Sequence, residues 1–390
     1  MRLLGPHARL RAALALAAIA LAAIASGCSF DFDRFDRPCL TDNDCVESGT
    51  CDALRGVCAP TRYFRPAATV ETYAGSGDPG ATDGARAQST FNSPSGLVFV
   101  SASELVVADR GSHRLRSVTD GGVTLRAGLE AGFADGAPLD ARFTLPSALA
   151  FAQGDLYIAD TGNHRIRALS SDMVSSLTGG ASGFVDGALA DARFDEPLGI
   201  AVLPDRRIVV ADRQNHRVRI IDLLTDSVET LAGRAGGGFA DGAAADALFR
   251  NPAAVAVDTA GRVIVADSGN NRVRAITIGA QAGSATVETL AGGEAGFSDG
   301  AAAEARFSSP QGVAVVGSTI YVADTLNARV RVIEDGQVHT LCGGGSVESV
   351  DGPASSARLQ RPVGIAASAD GKAIYIADQQ GHRIRRVLLP

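Results

Sequence analysis

Helical hydrophobic periodicity is missing from residue 69 onward, which excludes bundles and helix-covered sheets for most of the chain. The longest apolar run, Ala12 to Ala25, is about 14 residues, short of the ~20 that a membrane helix needs. No Ser-His-Asp elbow and no phosphate-cradling glycine loop appears. Lysine is almost absent: Lys372 is the one lysine among 36 basic residues. An excess of positive charge is missing too. The 43 acidic residues give a net charge of −7, and removing residues 1–27 with Arg2, Arg9 and Arg11 leaves −10. Such a chain repels polyanions overall, which argues against a nucleic-acid partner.

What is present is repetition. LVVADRGSHRLRSV, LYIADTGNHRIRAL, IVVADRQNHRVRII, VIVADSGNNRVRAI, IYVADTLNARVRVI and IYIADQQGHRIRRV follow one another along the chain. Each reads as a strand ending in Ala-Asp, a short turn, and a second strand with two arginines flanking an aliphatic residue. The marker aspartates Asp109, Asp160, Asp212, Asp267, Asp324 and Asp378 recur every 51 to 57 residues, a period that signals propellers or solenoids. Asp-Gly keeps the same beat at Asp83, Asp135, Asp186, Asp241, Asp299 and Asp351. Each is followed by Phe (Leu359 in the last copy) and then Pro, and V-x-T-L-A-G supplies a further strand. Six units of four strands predict an all-β, closed six-bladed β-propeller.

The repeated ADxxNHR[IVL]R resembles the NHL repeat family over residues 69–390, and the resemblance also implies a six-bladed propeller. The phase predicts how the ring closes. Residues 70–75, VETYAG, read as a fourth strand with no first three before it, while the chain ends on a third strand, so the N-terminal strand should complete the last blade.

Upstream, residues 1–27 read as a signal peptide, and Ala25-Ser26-Gly27-Cys28 resembles the lipobox of bacterial lipoproteins, implying lipidation at Cys28. Ser29 after it resembles outer-membrane sorting, which places the protein in the cell envelope, facing periplasm or cell surface, with the lipid as its membrane contact. Residues 28–38 suit a tether and 59–68 a linker. Residues 39–58 hold Cys39, Cys45, Cys51 and Cys58 with few apolar side chains. Export makes two disulfides the expectation, with three pairings open. Zinc there is disfavoured, since the segment has no histidine and no paired CxxC.

Strand alternation places the Asp-Gly loops and the ADxx turns around one mouth. The aspartates are read as fixing their turns rather than holding metal, and the repeat arginines as bonding carboxylates and loop carbonyls. His113, His164, His216 and His382 share a position with Asn271 and Ala328, which suits a hydrogen-bonding role. Catalysis in propellers usually sits on the innermost strands; these carry Asp258 as their one ionisable residue, at a far end. The mouth offers Ser95, Ser147 and Gln311, and the Asp-Gly loops are long enough to bring Asp135 or Asp299 over the channel. The reading is a non-catalytic module, with no catalytic, metal or cofactor residues assigned, that binds a protein or glycan on the loop face. A metal-dependent lyase or hydrolase is the alternative, and RNA binding, which some NHL proteins show, is set aside on charge and export.

Overall fold

The computed structural model describes residues 49–52, 57–60, 68–281, 283–344 and 348–389. Contacts divide the chain into two units, Met1–Arg62 and Tyr63–Pro390. In the first, Gly49–Asp52 and Val57–Pro60 form an antiparallel ladder in which Cys51 is the register partner of Cys58. Cys28, Cys39, Cys45 and the side chains of Cys51 and Cys58 lie outside the described residues, and with them the expected signal peptide, lipid anchor and bridges.

The second unit is a six-bladed propeller. Blade 1 consists of Pro94–Ser101, Glu104–Asp109, Arg114–Thr119 and Gly122–Ala127, paired antiparallel in that order. The others repeat it, and the first strands of neighbouring blades touch in a closed ring around the axis. This approach is close enough to exclude side chains. A Cβ on Gly364 would lie 2.0 Å from the Ser95 carbonyl oxygen, and one on Gly312 2.0 Å from that of Val363, so glycine is needed where backbones meet. Blade 6 joins Pro362–Ala367, Ala373–Asp378 and Arg383–Leu388 to Thr69–Ala74, the closure that the phase of the repeats predicts. Val70 and Ala74 of this strand are buried.

The second strands are apolar on both faces because neighbouring blades cover them: Leu105, Val106, Val107 and Ala108 are all fully buried, as are Ile374, Ile376 and Ala377 in blade 6. Phe91, Phe143, Phe194, Phe249, Phe307 and Leu359 fill equivalent buried positions, and Cys342, in place of the usual alanine, is a buried free thiol.

One expectation is corrected. The Asp-Gly segments do not reach over the channel; each lies along the outer edge of a blade. Gly187–Ala188 pairs with Val228 and Ser227 of the fourth strand of blade 3, and Gly242–Ala243, Gly300–Ala301 and Gly352–Pro353 do the same in blades 4, 5 and 6. In blades 1 and 2, Gly84 and Gly136 make single bridges to Val123 and Val174. The physical reason is the edge itself. A fourth strand presents unpaired N–H and C=O groups at the rim, and the passing chain satisfies some of them before it turns inward.

Candidate functional site

The repeat signature builds scaffold. In blade 2, Arg167 is fully buried and donates to Asp160 Oδ2 at 2.8 Å, to Asp135 Oδ1 at 2.6 Å, and to the carbonyls of Arg142 and Ala134. Blade 5 repeats this, with Arg331 donating to Asp324 at 2.8 Å and to Asp299 at 2.5 Å. Asp135 also accepts from the Ser176 amide, and Asp299 from the amide and hydroxyl of Thr340. Asp135 and Asp299 are therefore tied to the fourth strand at the rim and do not join Ser95, Ser147 and Gln311. One guanidinium fork joins the Ala-Asp turn to the Asp-Gly segment in every blade, a task for a planar donor set that lysine lacks. Burial pushes the Asp109 carboxyl up to about 6, against the opposing pull of the Asn92 amide, Ser112 and Arg116. Burial also raises Asp160, Asp212, Asp267 and Asp324. The first arginine of the pair behaves differently: in blades 2 to 5 Arg165, Arg217, Arg272 and Arg329 lie 3.7 to 4.1 Å above Phe133, Phe184, Phe239 and Phe297, and in blades 1 and 6 Arg114 and Arg383 donate to the Leu129 and Ser76 carbonyls.

The histidines stitch blades together. Nδ1 of His113 accepts from the Leu145 amide of the next blade at 3.0 Å, and His164, His216 and His382 accept likewise from Glu196, Asn251 and Ser93. Asn271 does the same through Oδ1 to Ser309 at 2.9 Å. This is the hydrogen-bonding role expected of a position that alternates with asparagine. Burial first, then Arg110, lowers the His113 pKa, and burial leads the same shift in His216. A depressed folded-state pKa means the unfolded chain takes up more protons, so this contribution is complete above the ordinary histidine value of ~6.5 and is lost as pH falls below it. Replacing His113 and His216 together with Asn should preserve the fold and flatten the acid-side loss. The check is Tm at pH 7.5 and at pH 5: the variant's drop should be smaller than the parent's, and an equal or larger drop removes the assignment.

Ala328 offers no acceptor at the fifth junction. There the Arg361 amide donates to Asp378 at 2.9 Å instead. The residue before proline is left-handed at Ser93, Leu145, Glu196, Asn251 and Ser309, with φ of 48° to 53°, and Arg361 is not among them.

Symmetry breaks most at the axis. A cavity of about 240 Å³ opens at the mouth, lined by Ser95, Ser147 and Gln311, which the sequence places there, and by Arg110, Arg213 and Arg361, which it does not. Arg110 and Arg213 directly follow the marker aspartate. Thr161 and Thr325 hold that position in blades 2 and 5 and turn their hydroxyls back onto the Pro197 and Pro362 carbonyls at 2.6 and 2.8 Å. Arg110 Nε donates to Ser147 Oγ at 3.2 Å, and Arg213 pairs with Glu196 at 2.9 Å. Burial, then the charges of Arg213 and Arg361, push Arg110 below the usual guanidinium value, partly opposed by Glu196. No Asp, Glu, His or Cys lines the cavity. Among the described residues no group of three such side chains is placed to hold a metal. This mouth can therefore grip an anion or hydrogen-bond a polar ligand, while positioned general acids and bases are lacking. For Arg110 and Arg213 a signal was available: the residue after Ala-Asp reads Arg, Thr, Arg, Ser, Thr, Gln around the ring, variation inside an otherwise uniform motif; Arg361, directly before Pro362, lies outside it.

The sequence pattern of the NHL repeat matches residues 143–169, 194–221 and 249–276, in register with three of the six blades. The chain is a six-bladed propeller that carries NHL repeats. Protein SUPPRESSOR OF QUENCHING 1 of Arabidopsis thaliana is 32% identical to it over 230 residues, 54% of this chain and 22% of that protein. Human NHL repeat-containing protein 2 is 28% identical over 270 residues, 60% of this chain and 36% of that one. The matched stretch thus spans about a fifth to a third of the length of these curated relatives. Among solved structures, an auxiliary nutrient binding protein from Bacteroides ovatus superposes with a TM-score of 0.65 at 17% identity, over 85% of this chain and 79% of that one. A gluconolactonase from Xanthomonas campestris does so at 0.58 and 15%, over 91% and 98%. At such identities the likeness is one of fold.

Proposed function

We propose that this NHL propeller is a non-catalytic binding module of the cell envelope that engages its partner at the axial mouth. The observation that carries the reading is the break in symmetry: six nearly uniform blades present a non-uniform ring of Arg110, Ser147, Arg213, Gln311 and Arg361 at one place. A lone ligand on a repeating scaffold needs such unequal contacts. A solved neighbour described as a nutrient binding protein is compatible with this use of the fold. The metal-dependent lyase or hydrolase alternative lacks a donor set in the cavity lining, where guanidinium groups stand instead. A photo-cross-linking residue placed at Gln311 should give a discrete adduct in cells. The same residue at Leu224, exposed in the hairpin between the third and fourth strands of blade 3, should not. An adduct from Leu224 alone would move the binding face away from the mouth.

Envelope location is part of the proposal and rests on residues 1–28. No helix among the described residues is long and apolar enough to cross a membrane. Cys28→Ser should shift the protein from the membrane fraction to the soluble one on cell fractionation. A parent already soluble would refute lipid anchoring.

A further inference from the structure

The charges at the mouth run against those of the whole chain. The protein carries a net charge of −7, yet three guanidinium groups from blades 1, 3 and 6 line one cavity that no carboxylate lines. Neutralisation separates these arginines from the rest. Each fully buried repeat arginine lies between two aspartates, as Arg331 lies between Asp299 and Asp324. At the mouth, among the described residues, Arg213 has Glu196 alone and Arg110 Nε has the Ser147 hydroxyl; the buried Nε of Arg361 has no hydrogen-bond partner there, as is also true of Nε in Arg116, Arg167 and Arg385. Gathering like charges in a partly dehydrated funnel opposes folding unless something of opposite charge completes it.

We propose that the axial mouth is an oxyanion site for a small polycarboxylate, gripped by Arg110, Arg213 and Arg361. This deepens the binding-module reading and rests on it. Planar carboxylates match the guanidinium fork and take two parallel hydrogen bonds from it. Arginines set on three separate blades reach a ligand from different sides, which favours several carboxylates over one. Ser95 and Gln311 add hydroxyl and amide donors for the remaining lone pairs, while the Ser147 hydroxyl, which donates to the Leu145 carbonyl, holds Arg110 in place. The volume of about 240 Å³ falls below the roughly 300 to 1,000 Å³ of sites for drug-sized ligands, so a compact molecule fits and a polymer groove does not.

The test is calorimetric titration of the full-length chain with tricarballylate at low ionic strength, beside sulfate, inorganic phosphate and glucuronate. Saturable tricarballylate binding that weakens with added salt is expected. Arg110→Gln and Arg361→Gln should each weaken it at least about tenfold, about 1.4 kcal/mol, while Arg207→Gln, a half-buried arginine away from the mouth and paired with Asp205 at 2.7 Å, should not. Without ligand, Arg361→Gln should melt at or above the parent temperature, since it relieves repulsion; a clear fall would make Arg361 a scaffold residue and overturn its role. Sulfate or phosphate binding as tightly as tricarballylate would overturn the polycarboxylate class. Absence of saturable binding by every anion would overturn the oxyanion site altogether. A Gln311 cross-link obtained alongside that result would leave the binding-module reading standing, whereas loss of both would remove it.

Discussion

Deleting residues 69–75 should lower Tm by at least about 5 °C or abolish cooperative unfolding, although the deletion removes no part of blades 1 to 5. Thr69–Ala74 is the fourth strand of blade 6, in register from Thr69 opposite Leu388 to Ala74 opposite Ile384. Its outer side also pairs Val70 with Gly352. Val70 and Ala74 are buried in two different apolar clusters, and Tyr73 packs edge-on against Tyr375 with ring centroids 4.9 Å apart. Backbone bonds at about 1 kcal/mol each and buried side chains at roughly 1.5 to 3 kcal/mol sum to several kcal/mol, and each kcal/mol shifts Tm by about 1.5 °C in a unit of this size. Val70→Asp, which keeps the chain length, should act in the same direction by placing an unpaired carboxylate in the core. If the deletion melts like its parent, the strand contributes nothing to closure.

The buried Arg–Asp joints are the second place where one change should act strongly. Arg331→Met keeps much of the side-chain volume and removes the fork that serves Asp324, Asp299 and the carbonyls of Arg306 and Ser298. Asp324 is fully buried. Breaking a buried pair from one side costs about 3 to 5 kcal/mol, or roughly 4 to 8 °C in Tm for a unit of this size. The pH dependence gives a sharper signature. Burial already holds the Asp324 carboxyl above its ordinary value, and Arg331 is the largest opposing influence. Without Arg331 it rises further. A raised folded-state pKa favours the folded state at low pH and ceases to do so as pH climbs through that value. The deficit should therefore shrink as the solution is acidified, and Asp324→Asn in the same chain should recover part of it. A variant within about 1 kcal/mol of the parent, or a deficit that grows in acid, would mean that the joint is not an important electrostatic support.

Residues that repeat were readable from the chain because their causes are local. An apolar run ending in Ala-Asp, a left-handed residue at His113 or Asn271, and a return strand with arginines two apart make a hairpin wherever they occur. Six copies with the fourth-strand unit placed first then require a ring closed by residues 69–74. The hydrogen-bonding part played by the histidines was legible too, since His and Asn share the position; that both accept, through Nδ1 and Oδ1, is what the structure adds.

The mouth was decided by the tertiary structure. Arg110, Arg213 and Arg361 lie on three blades, and only closing the ring brings their side chains into one cavity. Asp135 and Asp299 show the converse. Their loops are long enough to span the channel, yet the unpaired edge of each fourth strand holds the Asp-Gly segment at the rim, where Arg167 and Arg331 bind the carboxylates. Hydrogen-bond periodicity and turn chemistry act over a few residues and so are written in the sequence. Which side chains converge on an axis depends on rotations summed over whole blades, which exist only once the ring is closed.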